Sequence, residues 1–141
     1  MDFMYEAIEI AKQSGNDLPI GAVIVQNGKI IATAHNEQEE KQDVTAHAEM
    51  IVIQKTEKFL KTKILNDCEI YVTLEPCPMC AWAILNARFT KVYFGAYDNL
   101  YGALGSAMDL RKLLKSKTEI IGGILEEECS TLLKNYFKKI R

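Results

Sequence analysis

The sequence predicts an α/β fold, with a five-stranded mixed sheet between helices on both faces in three α/β/α layers, formed by one domain spanning residues 1–141. Three observations lead there. Runs rich in β-branched residues alternate with segments of helical periodicity, and short glycine, proline or asparagine signals separate them. The first two strand-like runs are joined by a tight-turn dipeptide, which makes the sheet mixed. The length, 141 residues, matches a single domain at roughly 150 residues each, and no internal repeat or linker divides it.

Residues 3–13 place Phe3, Ala7, Ile8 and Ala11 on one helical stripe, with Asp2 as N-cap and Gly15 just past the end. Residues 20–25 and 29–34 are strands joined by Asn27-Gly28, a pair that tolerates the positive φ values of a hairpin turn. Thr45 is expected to cap a helix over about 46–60, and residues 68–74 read as a buried third strand. Pro78 suits the first turn of a helix reaching about Arg88, because it removes an N–H that lacks a partner there anyway. Residues 91–96 form a fourth strand. Gly102 and Gly105 mark a loop, Ser106 with Asp109 resembles a capping box for a short helix, and residues 118–122 supply the fifth strand. The last helix carries Leu125, Cys129, Leu132, Leu133, Tyr136, Phe137 and Ile140 on a sustained core-facing stripe. Lys134, Lys138 and Arg141 lie on its other side, with Lys139 adjacent. This stripe is a candidate contact for an RNA backbone, and a solvated helix face has the same pattern.

Seventeen basic and nineteen acidic residues leave a formal charge of −2, so any nucleic-acid contact must be a local patch. The uncharged stretch beginning at Pro76 falls far short of the roughly 18 residues that span a bilayer, so no membrane partner is expected. Asp2, Glu6 and Glu9 stand where a secretory signal would be basic and then apolar, which predicts a cytoplasmic protein. Four cysteines are too few for a disulfide scaffold, and in a reducing compartment their spacing becomes a question about metals.

Two cysteines three apart at a helix start, Cys77 and Cys80, project to one side, and the helix N-terminus favours the thiolate form. Alone they fit a redox dithiol or a structural zinc knuckle equally well. His47 is the one good candidate for a third ligand, since His35 falls at the end of a strand. Two thiolates and an imidazole make a soft site for one Zn2+ per chain. Three protein ligands leave a fourth position for water, which zinc acidifies to a pKa of roughly 7. Glu49, two residues beyond His47, does not share its helix face and so is free to carry protons for a hydrolytic reaction. Cys68, in a predicted buried strand, and Cys129, on the apolar stripe of the last helix, read as core residues.

His-x-Glu followed by Pro-Cys-x-x-Cys is the known signature of the zinc nucleobase deaminases. Beyond it, the chain from about Leu18 to Phe137 resembles the bacterial tRNA-specific adenosine deaminases of the cytidine/deoxycytidylate deaminase superfamily. The resemblance runs through Pro19-Ile20-Gly21-Ala22-Val23, Ala34-His35-Asn36, Thr45-Ala46-His47-Ala48-Glu49, Tyr71 to Cys80, Phe94-Gly95-Ala96-Tyr97-Asp98 and Gly102-Ala103-Leu104-Gly105-Ser106. It implies a cytidine-deaminase-like fold, a homodimer, and hydrolysis of the wobble adenosine to inosine in a tRNA anticodon stem-loop. His47, Cys77 and Cys80 would hold zinc, and Glu49 would shuttle protons. Asn36 would hydrogen-bond the flipped base and Ala48 would touch it. Asp98 would lie beside the anticodon backbone, and Phe137 would help shape the RNA cleft. The chain departs from the family at Trp82, where a small residue is usual and a ring should alter packing of the zinc-bearing helix. It also departs at Leu100, often basic in relatives, and at Val44, commonly proline.

Two other readings share these motifs. A deaminase of free guanine, cytosine or a nucleoside would use the same zinc elements, and activity on free bases against a stem-loop separates the two. A non-catalytic zinc-binding subunit would have no use for a proton carrier at Glu49.

Overall fold

Alternate residues along each central strand point to opposite sides, and in this chain both sides are apolar. In the computed structural model, which describes residues 2–140, that pattern produces a sheet buried on both faces. Arg141, one of the three residues of the expected basic stripe, lies outside the described residues. The elements are α1 (Phe3–Ala11), β1 (Gly21–Gln26), β2 (Lys29–His35), α2 (Gln38–Lys41), α3 (Ala48–Leu60), β3 (Cys68–Leu74), α4 (Pro78–Ala87), β4 (Lys91–Ala96), α5 (Arg111–Leu114), β5 (Glu119–Ile121) and α6 (Glu126–Lys139).

The sheet order is β2-β1-β3-β4-β5. β1 runs antiparallel to β2 and to β3, while β3, β4 and β5 run parallel, so the sheet is mixed as expected. The β1–β2 hairpin turns at Asn27 and Gly28, with φ of 52° and 73°, the left-handed region that this pair tolerates. Ala22, Ile24, Ile70, Val72 and Val92 pack toward α3 and α4, where they meet Val52, Ile53, Ala81 and Ile84. Val23, Val25, Tyr71 and Tyr93 pack toward α1 and α6, against Met4, Ala7, Ile8, Cys129 and Leu133. Cys68 and Cys129 are core residues, 0% and 1% exposed.

This topology decides where a site can form. Two successive antiparallel pairings make β2 parallel to β3, so the carboxyl ends of β2, β3 and β4 lie along one edge of the sheet. His35 leads from that edge into Asn36, Leu74 into Glu75-Pro76-Cys77, and Ala96 into the loop containing Asp98. Ligands of open α/β sheets bind outside such carboxyl ends.

Several local expectations need correction. Thr45 does not cap α3: its hydroxyl and N–H both go to Asp43 Oδ1, at 2.7 and 2.8 Å, in a separate turn, and the N-cap is His47. Ser106 and Asp109 form no capping box. The Ser106 hydroxyl donates to Glu75, and Asp109 Oδ1 accepts from the Arg111 N–H at 3.1 Å. The short α2 carries no apolar periodicity; Asp17, only 3% exposed, holds it by accepting the Glu39 and Glu40 N–H groups at 2.8 and 3.2 Å. The stripe on α6 does not stay in the core, because the helix outruns the layer beneath it, leaving Phe137 47% and Ile140 62% exposed.

Candidate active site

The N-termini of α3 and α4 meet at the carboxyl edge of the sheet. His47 is the N-cap of α3 and Cys77 that of α4, with Pro78 following at the first helical position. N-cap side chains usually accept a hydrogen bond from the first turn. Neither of these does, so both remain available to a ligand. Cys80, one turn into α4, is fully buried.

His47 Nδ1 lies 3.7 Å from Cys77 Sγ and 3.4 Å from Cys80 Sγ, and all three donor atoms fall within 4.8 Å of one another. A tetrahedral ion with Zn–N near 2.0–2.1 Å and Zn–S near 2.3 Å separates its nitrogen and sulfur ligands by about 3.6 Å. The observed spacings bracket that value, so the residues fit zinc. They are also the one cluster of potential metal ligands among the described residues. The donors already share protons: the Cys77 thiol is lowered by hydrogen bonding with Cys80 and then His47, while that sharing pushes Cys80 up and the Cys77 contact raises His47. A dication entering here would displace the shared protons.

Glu49, on the first turn of α3, is 4% exposed, and burial pushes its carboxyl up to about 7. Its Oε1 has no hydrogen-bond partner, and neither has Oδ1 of Asn36, itself 2% exposed. Buried polar atoms without partners are costly and uncommon. These are two of the three found among the described residues; the third is Ser14 Oγ. Asn36 is tied to the cluster through the backbone, since the next residue's N–H donates to the carbonyl of Ala46 at 2.9 Å, one residue before His47.

The remaining expected residues divide. Ala48 is fully buried in the core beneath α3, between His47 and Glu49 in sequence. Asp98 follows β4 at the same edge, and its Oδ1 accepts the N–H groups of Leu100 and Tyr101 at 3.0 and 3.1 Å. Lys134, Phe137 and Lys138 line a common depression of about 440 Å3, but α6 packs with α1 on the face opposite α3 and α4. These three are therefore gathered together on the α1 side of the sheet. Trp82 is half-exposed, so its ring does not enter the buried face of α4, which is formed by Cys80, Ala81, Ile84, Leu85 and Ala87. A cavity of about 620 Å3 between Asn66, Arg88, Lys115 and Thr118 lies at the amino ends of β4 and β5, away from the chemistry. Sequence reasoning missed Glu75, a carboxylate 2% exposed beside Pro76 and Cys77. Its one sequence signal is an acidic residue directly following an apolar strand.

Comparison with known proteins agrees with this geometry. The family model of the cytidine and deoxycytidylate deaminase zinc-binding region matches residues 1–96, which contain His47, Glu49, Cys77 and Cys80. The tRNA-specific adenosine deaminase of Bacillus subtilis (strain 168) is 46% identical over 99% of this chain and 89% of its own. A structure from studies of A-to-I editing by tRNA:A34 deaminases at the wobble position of transfer RNA superposes with a TM-score of 0.85. It has 38% identity and covers 93% of this chain and 98% of its own. A guanine deaminase structure from Bacillus subtilis is 41% identical, with a TM-score of 0.66, over 69% of this chain and 66% of its own. The chain belongs to the cytidine and deoxycytidylate deaminase zinc-binding family, and within it to the tRNA-specific adenosine deaminases.

Proposed function

We propose that this chain, acting as one catalytic domain over residues 1–141, hydrolyses the wobble adenosine of a tRNA anticodon to inosine. The observation that carries the reading is the buried, unpartnered carboxylate oxygen of Glu49 two residues from a three-donor cluster that fits zinc. His47, Cys77 and Cys80 would hold the ion. Bound there, zinc supplies water activated for attack near neutral pH. Water adds at the adenine carbon bearing the amino group, the C–N bond breaks, and ammonia leaves. Glu49 accepts the proton released by the water and delivers it to the adjacent ring nitrogen, then takes the proton of the newly added hydroxyl, which becomes the carbonyl of inosine, and hands it to the departing amine. Burial raises this carboxyl above the ordinary carboxylate range in the metal-free protein, which favours its taking up a proton. Asn36 offers its unpartnered Oδ1 to a donor on the flipped base. Ala48 has its methyl in the core, so a base beside it would meet backbone.

The partner is a tRNA anticodon stem-loop. Asp98 would sit beside its backbone, and Lys134, Lys138 and Arg141, with Phe137 between them, form the candidate outer contact. The resemblance adds a homodimer, checked by sedimentation. Among the described residues no helix is long and apolar enough to cross a membrane, and a tRNA substrate favours a cytoplasmic location.

The similarity to a guanine deaminase keeps a free-base reading in view. One experiment decides: zinc-loaded protein is incubated with a stem-loop carrying adenosine at the wobble position, with unfractionated tRNA, and with free adenosine, guanine and cytosine. Inosine should form at the wobble position. Turnover of guanine or another free base without turnover of RNA would overturn the proposal.

A further inference from the structure

Glu75 stands between the end of β3 and the turn that carries Cys77. Its carboxylate is held in the interior, and among the described residues no cation is paired with it. Burying an ionised carboxylate costs several kcal/mol unless hydrogen bonds compensate it. Here the compensation comes entirely from one loop. Glu75 Oε1 accepts from the Asp98 N–H at 3.2 Å and from the Ser106 hydroxyl. Its Oε2 accepts from the N–H groups of Leu104 and Ser106 at 3.2 and 3.1 Å.

The same loop closes onto the metal-ligand turn itself, where the Ala103 N–H donates to the Pro76 carbonyl at 2.9 Å. Gly102 lies so close to the Glu75 carboxyl group that a Cβ at that position would overlap it. At the tip, the Asp98 side chain accepts the Leu100 and Tyr101 N–H groups, and the side chains of those two residues stand out, 78% and 65% exposed. The loop is therefore folded on itself by Asp98 and hung on Glu75.

We infer that Glu75 is a positioning residue: it fixes the 98–106 loop against the Pro76-Cys77 turn, so that substrate contacts made by the loop stay in register with the metal ligands. Holding a metal at Cys77 does not require a carboxylate two residues earlier. Serving four donors from one side chain does, because two acceptor oxygens are needed. A glutamine has the same shape but turns one oxygen into an NH2 group facing donors, which breaks two of the four bonds and opposes like with like. The use of this loop in RNA docking rests on the proposed function; the tether does not.

The test uses Glu75→Gln and, as a milder probe, Ser106→Ala, which removes one donor and leaves three. Amide hydrogen exchange is followed by NMR, alongside zinc content and steady-state kinetics on whichever substrate the parent turns over. In Glu75→Gln the Asp98, Leu104 and Ser106 amides should exchange at least about tenfold faster, with Ile24 and Val72 unchanged and one zinc retained. KM should rise about tenfold while kcat stays within about threefold, the split expected when positioning rather than chemistry is lost. Ser106→Ala should shift the same quantities less, and it decides the matter if Glu75→Gln does not fold. Unchanged exchange at the three amides, or a fall in kcat with KM held, would overturn the inference. Faster exchange with unchanged KM would leave a tether with no positioning role and overturn it equally. If the parent turns over a free base and no RNA, the proposed function falls while the exchange and the KM–kcat split still judge Glu75.

Discussion

Replacing Glu49 by glutamine separates catalysis from stability. The amide keeps the shape of the side chain but cannot take up and return a proton. Loss of a positioned acid–base group costs about 10²–10⁴ in rate, so single-turnover deamination of a stem-loop should fall by at least about a hundredfold. Zinc should remain at one per chain, because Glu49 is not among the three clustered donors. Stability should move the other way. In the metal-free protein burial raises the carboxyl from 4.5 to about 7, a gap worth about 3 kcal/mol. Below pH 4.5 the group is protonated in both folded and unfolded chains and costs nothing. As pH rises, the unfolded chain ionises first, so the parent loses stability until the folded form ionises too, above about 7. Glutamine removes that loss. Denaturant melts after zinc is stripped should therefore show Glu49→Gln equal to the parent at pH 4 and more stable, by up to about 3 kcal/mol, at pH 8. Stripping matters because a dication beside the carboxylate would favour its ionised form. Activity within tenfold of the parent would refute the proton-carrier role, and equal stability at pH 8 would refute the burial argument.

Cys80→Ser exchanges a soft ligand for a hard one in a fully buried position, so metal analysis should find zinc falling from about one per chain toward none, with activity lost alongside it. Ile70→Ala opens a void in the central strand β3, where the residue is 0% exposed. Chemical denaturation should report a loss of about 2–5 kcal/mol, with the zinc content of the folded fraction unchanged. Lys134→Ala with Lys138→Ala removes the two lysines that line the α6 depression. If both touch phosphates, the log–log salt slope of RNA binding should flatten by about 1.4–1.8. An unaltered slope would leave that face solvated only.

Features legible in the sequence were those that local chemistry decides. Strand alternation, the positive φ values that suit Asn27-Gly28 and the proline at the start of α4 set the elements. β3 and β4 begin and end where the pattern places them because their apolar runs are bounded by turn residues. The candidate metal site was legible because Cys77 and Cys80 lie one helical turn apart and few other residues can complete a soft site. Positions that depend on distant partners were not. Thr45 looks like a cap, but Asp43 captures it and the role passes to His47, which is what leaves the imidazole at the helix mouth. α2 has no apolar stripe and exists because Asp17, more than twenty residues earlier, satisfies its N–H groups. The basic stripe on α6 reads the same from sequence on either face of the sheet, and only the packing of Cys129 and Leu133 with α1 decided its side. The role of Glu75 is not legible in sequence, beyond an acidic residue ending an apolar strand, because its donors arrive from 23 to 31 residues away, brought together only when β3 and β4 pair in parallel. Local patterns act through neighbours a few residues apart and survive in any context, whereas a buried carboxylate has meaning only once the fold has brought its partners to it.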